Sequence, residues 1–258
     1  MNTGFDILQA FEPVSLQEMD QVKLMNRTDT KYTFNRSQLN DVLKELLKDY
    51  RVLEVAGKRQ SRYKTLYYDT AGYSLYTRHH NGGLNRYKIR HRTYLESGLG
   101  FLEVKFQNNK GRTVKDRIEK KEAPLSWDMD AEVFLKEMIP FNPQDLKPVI
   151  WINYSRLTLV SKTNTERLTL DLDLEFIQDA VRKNLPELVI AEVKQEKRKA
   201  SSFLKVMKQF HIRQGSISKY CMGIALTSGK KVRKNNFKHK LLNLKHIIYD
   251  DIVAAIGE

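Results

Sequence analysis

Charged side chains recur at every second residue along several short stretches of this sequence. Arg86, Lys88, Arg90 and Arg92 alternate with Tyr87, Ile89 and His91. Glu103 and Lys105 alternate with Leu102, Val104 and Phe106, and Glu192 and Lys194 with Ala191 and Val193. Arg167, Thr169, Asp171, Asp173 and Glu175 alternate with Leu168, Leu170, Leu172, Leu174 and Phe176, and Arg27, Asp29 and Lys31 keep the same spacing. Successive side chains of an extended chain point to opposite faces, so each stretch has a charged face. Arginine offers phosphate a bidentate fork and lysine a point charge. Carboxylates scattered among them could hold a divalent cation against phosphate oxygens. The matching chemistry is phosphoryl transfer, which needs charge neutralisation and in-line positioning more than a covalent nucleophile.

Four like charges along one strand repel and need a counter-charge. One solution is a sheet curled into a closed barrel with its charged faces inward, a basic tunnel around a polyanion. The other is a basic outer face for nucleic acid, on which stacking aromatics should interleave with the cations. Tyr87 and His91 fall on the face away from the arginines, which weighs against nucleic acid.

The elements that must carry these faces are legible from spacing. Candidate strands are 26–35, 63–69, 85–93, 100–107, 112–119, 149–161, 166–177 and 187–195, with turn chemistry at Asn81-Gly82-Gly83 and Asn109-Lys110-Gly111. Helical spacing predicts helices over 15–25, 37–50, 130–138, 201–209, 218–226 and 241–256. No linker divides 20–227, so residues 1–227 read as one domain. Residues 228–240 carry six cations and no acid, and with the last helix they make a basic tail, 228–258. That tail reads either as a solvated linker and a helix packed on the body or as a membrane-surface or partner-binding segment.

The chain has 258 residues and a formal net charge of +14, which favours a polyanionic partner. No window approaches the ~18 apolar residues of a membrane-spanning helix. Residues 1–11 lack the basic start of a secretory signal. A single cysteine, Cys221, excludes an internal disulfide framework and reads as core. The expected setting is the cytosol, with peripheral contact at the inner face of a membrane as an extension of it. There is no Walker A sequence and no GxGxxG, and His79-His80 reads as a solvated pair beside a turn.

A series of short motifs resembles the VTC domain, the polyphosphate-polymerase domain of the vacuolar transporter chaperone, in a stand-alone bacterial-type form. They are Asn26-Arg27-Thr28-Asp29-Thr30-Lys31-Tyr32, Tyr67-Tyr68-Asp69-Thr70, Lys88-Ile89-Arg90-His91-Arg92, Leu102-Glu103-Val104-Lys105, Lys115-Asp116-Arg117, Tyr154-Ser155-Arg156, Arg167-Leu168-Thr169-Leu170-Asp171, Ala191-Glu192-Val193-Lys194 and Ser218-Lys219-Tyr220. The resemblance spans about 26–226. It implies the triphosphate tunnel metalloenzyme fold: α+β, an eight-stranded antiparallel closed barrel with flanking helices.

It further implies that Lys31, Arg90, Arg92, Lys105, Lys115, Arg156, Arg167 and Lys219 bind the phosphates and carry catalysis. Lys88 and Lys194 join the phosphate-binding set from the same faces. Glu192 would be the main ligand of Mn²⁺ or Mg²⁺, with Asp171 and Asp173 as second ligands or ion-pair partners of the arginines. Tunnel enzymes of this kind often begin with alternating glutamates, where this chain has Arg27 and Asp29. That favours a lumen tuned to phosphate chains over a two-metal triphosphatase. The expected reaction is ATP γ-phosphate transfer to polyphosphate, with a membrane-protein partner reached through the tail. Two alternatives stand beside it: a triphosphate hydrolase of the same fold, and a non-catalytic module binding polyphosphate or inositol phosphate.

Overall fold

The computed structural model describes residues 6–21, 28–196 and 201–254. Their strands are β1 (Pro13–Val14), β2 (Thr28–Asn35), β3 (Tyr50–Leu53), β4 (Gln60–Thr70), β5 (Arg86–Tyr94), β6 (Gly100–Gln107), β7 (Thr113–Glu119), β8 (Leu146–Ser161), β9 (Arg167–Gln178), β10 (Val181–Leu185), β11 (Leu188–Gln195) and β12 (Gln214–Gly215). The helices are α1 (Asp6–Gln9), α2 (Leu16–Gln21), α3 (Leu39–Leu46), α4 (Ser74–His80), α5 (Met129–Met138), α6 (Ser202–Gln209), α7 (Lys219–Thr227) and α8 (Lys238–Ala254).

All twelve strands share one sheet along the path β12-β2-β11-β9-β8-β4-β5-β6-β7, with β10 on β9, β3 on β8 and β1 on β3. Neighbours along the path pair antiparallel. The eight alternating stretches of the sequence are eight consecutive strands of this path, but among the described residues no ladder joins β7 back to β2. The expected closed eight-stranded barrel is therefore corrected to an open twelve-stranded sheet. The edge of β2 that would receive β7 is taken by β12, through Gln214 opposite Tyr32 and Gly215 opposite Lys31. The additional strands are two to five residues long, too short to show alternation.

The sheet nonetheless curls. Lys31 on β2 and Lys105 on β6, near opposite ends of the path, lie close enough for each charge to act on the other. The convex side is apolar and covered by helices. Leu168, Leu170, Leu172, Val189 and Val193 pack with Val42, Leu43 and Leu46 of α3 and Phe203 and Met207 of α6. Leu66, Ile89, Leu102 and Val104 pack with Ala131, Phe134 and Leu135 of α5.

One half of the concave side is apolar too. Ile150, Ile152, Leu174, Phe176, Leu188 and Ile190 form a core with Tyr220, Met222 and Ile224 of α7 and Leu244 of α8. The approach is close: a Cβ on Gly223 would come within 2.7 Å of Phe176 Cδ1 and 2.8 Å of Ile150 Cδ1. The tail is thus docked on the body. Asn35 Nδ2 donates to the Ile247 carbonyl at 2.7 Å, and Tyr76 OH to the Arg233 carbonyl at 2.8 Å. No described helix is long and apolar enough to cross a membrane.

The change from charged to apolar on the concave side has a local cause in β9. Asp173 has a φ of +54°. There the β8–β9 register slips, with Asn153 opposite Glu175 but Ser155 opposite Leu172. Such a β-bulge inserts a residue and reverses the facing of everything after it. Asp171 faces the concave side before the bulge, and Leu174 and Phe176 face it after. Asp173, expected on the face of Asp171, instead lies exposed and paired with Arg36. Glu175 leaves that face as well, accepting from Asn153 Nδ2 at 2.7 Å.

Two smaller expectations change. The helix read over 37–50 is a short 3-10 turn at Arg36–Gln38 followed by α3, and the chain is extended again at Tyr50. His79-His80 is not solvated: both residues end α4, His80 is buried and bonded to Asn81 and Asn236, and Nε2 of His79 is buried.

Candidate functional site

The charged half of the concave face is organised around three carboxylates, each between two cations. The register places Arg90 opposite Glu103. Arg90 Nε donates to Glu103 Oε2 at 2.6 Å, and Lys115 Nζ lies 2.5 Å from Oε1. Glu103 is 1% exposed. Burial would raise its carboxyl, but Arg90, Arg92 and Lys115 outweigh burial and hold it well below the usual carboxylate range.

The second cluster joins β8, β9 and α7. Arg156, in register with Asp171, donates through Nε and Nη2 at 2.6 and 2.9 Å. Lys219 Nζ reaches the same carboxylate. Burial opposes ionisation of Asp171, and Arg156 and Lys219 overcome it. Lys219 opens α7, whose first turn is capped by Ser218 Oγ accepting from Cys221 N. Asp69 ties this helix to the sheet: it takes the Tyr220 hydroxyl together with the backbone N–H groups of Thr70, Leu75 and Tyr76.

The third cluster joins β2 and β11. Glu192 lies opposite Lys31, with Oε1 3.8 Å from Nζ. Burial pushes its carboxyl up, but Lys194 and Lys31 prevail and bring it down to about 2.

Between the clusters lie further cations and an aromatic lining. Tyr63 and Tyr154 stack, with centroids 5.1 Å apart. The guanidinium carbons of Arg92 and Arg156 sit 5.4 and 5.2 Å from the Tyr63 ring centre, and Lys219 Nζ sits 4.8 Å from that of Tyr154. Tyr67 OH accepts from Arg90 Nη1 at 3.1 Å. Lys88 is pushed down to about 8, by burial first and then by Lys105 and Lys31. Arg167, at the start of β9, donates to the Met19 carbonyl at 3.2 Å. Arg27 lies outside the described residues.

The fold therefore gathers Lys31, Lys88, Arg90, Arg92, Lys105, Lys115, Arg156 and Lys219 with Glu192 and Asp171, and it separates Asp173 from them. Sequence reasoning passed over Tyr63, Thr65 and Tyr67 and the counter-ion role of Glu103. The β4 residues share one face at period two, but Tyr63, Thr65 and Tyr67 themselves carry no charge to draw attention.

Among the described residues no three His, Cys, Asp or Glu side chains converge as a metal cage. Asp171 is occupied by Arg156 and Lys219, which leaves Glu192 partly accessible, beside the exposed Asp29 that lies opposite Lys194 and acts on Lys105. This donor set fits a cation that arrives on a phosphate chain, since Mg²⁺-type sites use one or two carboxylates plus substrate oxygens.

A family model described as the VTC domain matches residues 26–228. No curated protein matches the chain. Among solved structures, a candidate adenylate cyclase from Vibrio parahaemolyticus is 13% identical, covering 77% of this chain and 99% of that one at a TM-score of 0.47. A candidate adenylyl cyclase from Hippeastrum, described as having a dominant triphosphatase activity, is 13% identical over 79% of this chain and 97% of its own, also at 0.47. The PH1819 protein of Pyrococcus horikoshii is 11% identical over 77% and 96%, at 0.43.

Proposed function

The chain belongs to the VTC domain family, a group within the triphosphate tunnel enzymes, and on that premise we propose that it transfers the γ-phosphate of ATP to the end of a polyphosphate chain. The observation that carries this reading is the pairing of Glu103, Asp171 and Glu192 with two cations each. Each cluster keeps a surplus positive charge, held in place before any ligand arrives. Such pre-organised charge stabilises the equatorial oxygens of a phosphoryl group in transfer.

Arg90, Arg92, Arg156 and Lys219 would bind and align the triphosphate, while Lys31, Lys88, Lys105, Lys115, Arg167 and Lys194 would hold the rest of the anion. Glu192 would hold one side of Mn²⁺ or Mg²⁺, which when bound neutralises phosphate charge. Asp171 serves the reaction by fixing Arg156 and Lys219 rather than by ligating metal. We place the protein in the cytosol, with the surface around α8 as the contact for a membrane partner.

One observation favours a second reading, a triphosphate hydrolase. The apolar half of the concave face is filled by α7 with α8 beyond it, so a growing chain has no basic path through that end. Incubating the protein with ATP and Mn²⁺, then resolving chain phosphate from free phosphate, separates the two. Long anionic polymer supports the polymerase; orthophosphate alone supports the hydrolase.

A further inference from the structure

On the concave face of β4, between Tyr63 and Tyr67, sits Thr65. It lies opposite Arg92 on β5 and Ile152 on β8 and is 1% exposed. Its Oγ1 has no hydrogen-bond partner among the described residues, and neither has Nε of Arg92 directly across the ladder. Buried polar groups are almost always satisfied, and a buried hydroxyl without a partner is destabilising. A valine would fill the same space in this strand at no such cost. The ladder puts both side chains on the concave face, where the Arg92 guanidinium lies beside the Tyr63 ring and acts on Glu103. Both would be satisfied by one acceptor with several lone pairs, and among cations the acceptor of choice is a phosphate oxygen.

We propose that Thr65 is a substrate-binding residue whose Oγ1–H, with Nε–H of Arg92, holds one non-bridging oxygen of the bound phosphate chain. This rests on the reading of the concave face as a triphosphate site. The hydroxyl is an uncharged donor, so its contribution should resist salt, whereas that of an arginine should be screened.

The test uses the full chain, inorganic tripolyphosphate in metal-free buffer, titration calorimetry and apo melting curves. Thr65→Val should melt at or above the wild type and bind tripolyphosphate tenfold to about a hundredfold more weakly, by the same factor at low and high salt. Thr65→Ser should restore most of the affinity. Equal binding by Thr65→Val would overturn the proposal and leave the hydroxyl merely hydrated. A lower melting temperature of Thr65→Val, or no recovery in Thr65→Ser, would also overturn it, by showing a structural role. If the wild type itself binds no tripolyphosphate, the reading of the whole concave face falls, and this inference with it.

Discussion

Replacing Asp171 with asparagine leaves shape almost unchanged and removes one negative charge from between two cations. Asp171 is 2% exposed and receives Arg156 through two nitrogens and Lys219 through its ammonium. Deleting one member of a buried ion pair costs about 3–5 kcal/mol, because the partner stays buried and uncompensated. Here the cations keep side-chain exposures of 14% and 17%, so water screens part of the loss and the lower end, about 3 kcal/mol, applies. For a domain of this size each kcal/mol moves the midpoint by about 2–4 °C, giving a drop of roughly 6–12 °C at neutral pH. The lost anion can be replaced from solution. Tripolyphosphate should therefore raise the melting temperature of Asp171→Asn by more degrees than it raises that of the wild type. The difference between the two proteins should also close in acid. The Asp171 carboxyl is held below its ordinary value, so its stabilisation is complete above that value and disappears as pH falls through the folded one. Melting curves with and without tripolyphosphate, repeated down the acid range, measure all of this. A variant that melts within a degree of the wild type at neutral pH would refute the claim that Asp171 sets Arg156 and Lys219 in place.

Arg90→Ala and Arg92→Ala should part company. The first leaves buried Glu103 with Lys115 as its direct ion pair and Arg92 acting on it from further off, and should melt several degrees lower, while the second removes a guanidinium with an unpartnered Nε and no direct ion pair to Glu103 and should chiefly weaken tripolyphosphate binding; identical melting curves would contradict the assignment. Glu192→Gln should cut Mn²⁺-dependent turnover of ATP at least a hundredfold while metal-free tripolyphosphate binds as well or better, whereas near-normal turnover would make Glu192 a counter-ion only. Lys88, brought down to about 8, should lose its charge as pH rises through that value, so tripolyphosphate affinity should fall there and binding near pH 8 should take up protons. Calorimetry in two buffers of different ionisation enthalpy reads that uptake, and Lys88→Met should remove it. Between pH 8 and 10.5 the unfolded chain holds more protons at this lysine than the native one, so its contribution to stability rises with pH across that window.

The charged faces were legible because alternation at period two is a property of the strand itself. Arg86 to Arg92, Glu103 with Lys105, and Glu192 with Lys194 each carry their own evidence, and eight strands followed from such stretches. Closure was not legible, because it depends on which strand takes the free edge of β2, and the taker is two residues of β12 with no pattern of their own. Asp173 was misplaced for a related reason. Period two was extrapolated through a bulge whose only trace is an aspartate able to adopt a positive φ. The run from Arg86 to Arg92 was expected to need a counter-charge, which the spacing did not assign to a residue. Glu103 supplies it to Arg90 across the ladder, and that pairing became visible only with the register of β5 against β6.

The bulge at Asp173 also acts as a depth stop. Upstream of it β9 ends its charged run at Asp171, and downstream it presents Leu174 and Phe176 to the same space. An anion entering past Arg167 therefore meets hydrocarbon three residues beyond Asp171, the carboxylate that holds Arg156 and Lys219, about 10 Å along the strand. On the proposed reading, the reach of a phosphate chain is limited by where the bulge reverses the facing of β9. Length changes in this strand consequently carry a parity. Losing the inserted residue would straighten the strand and leave Leu174 and Phe176 facing α7, because the bulge and the parity change it causes go together. Losing two would turn Glu175 toward α7 and Phe176 away from it, dissolving the stop and the core together. Natural or designed variants that admit chains of different length are to be sought in the position of this insertion.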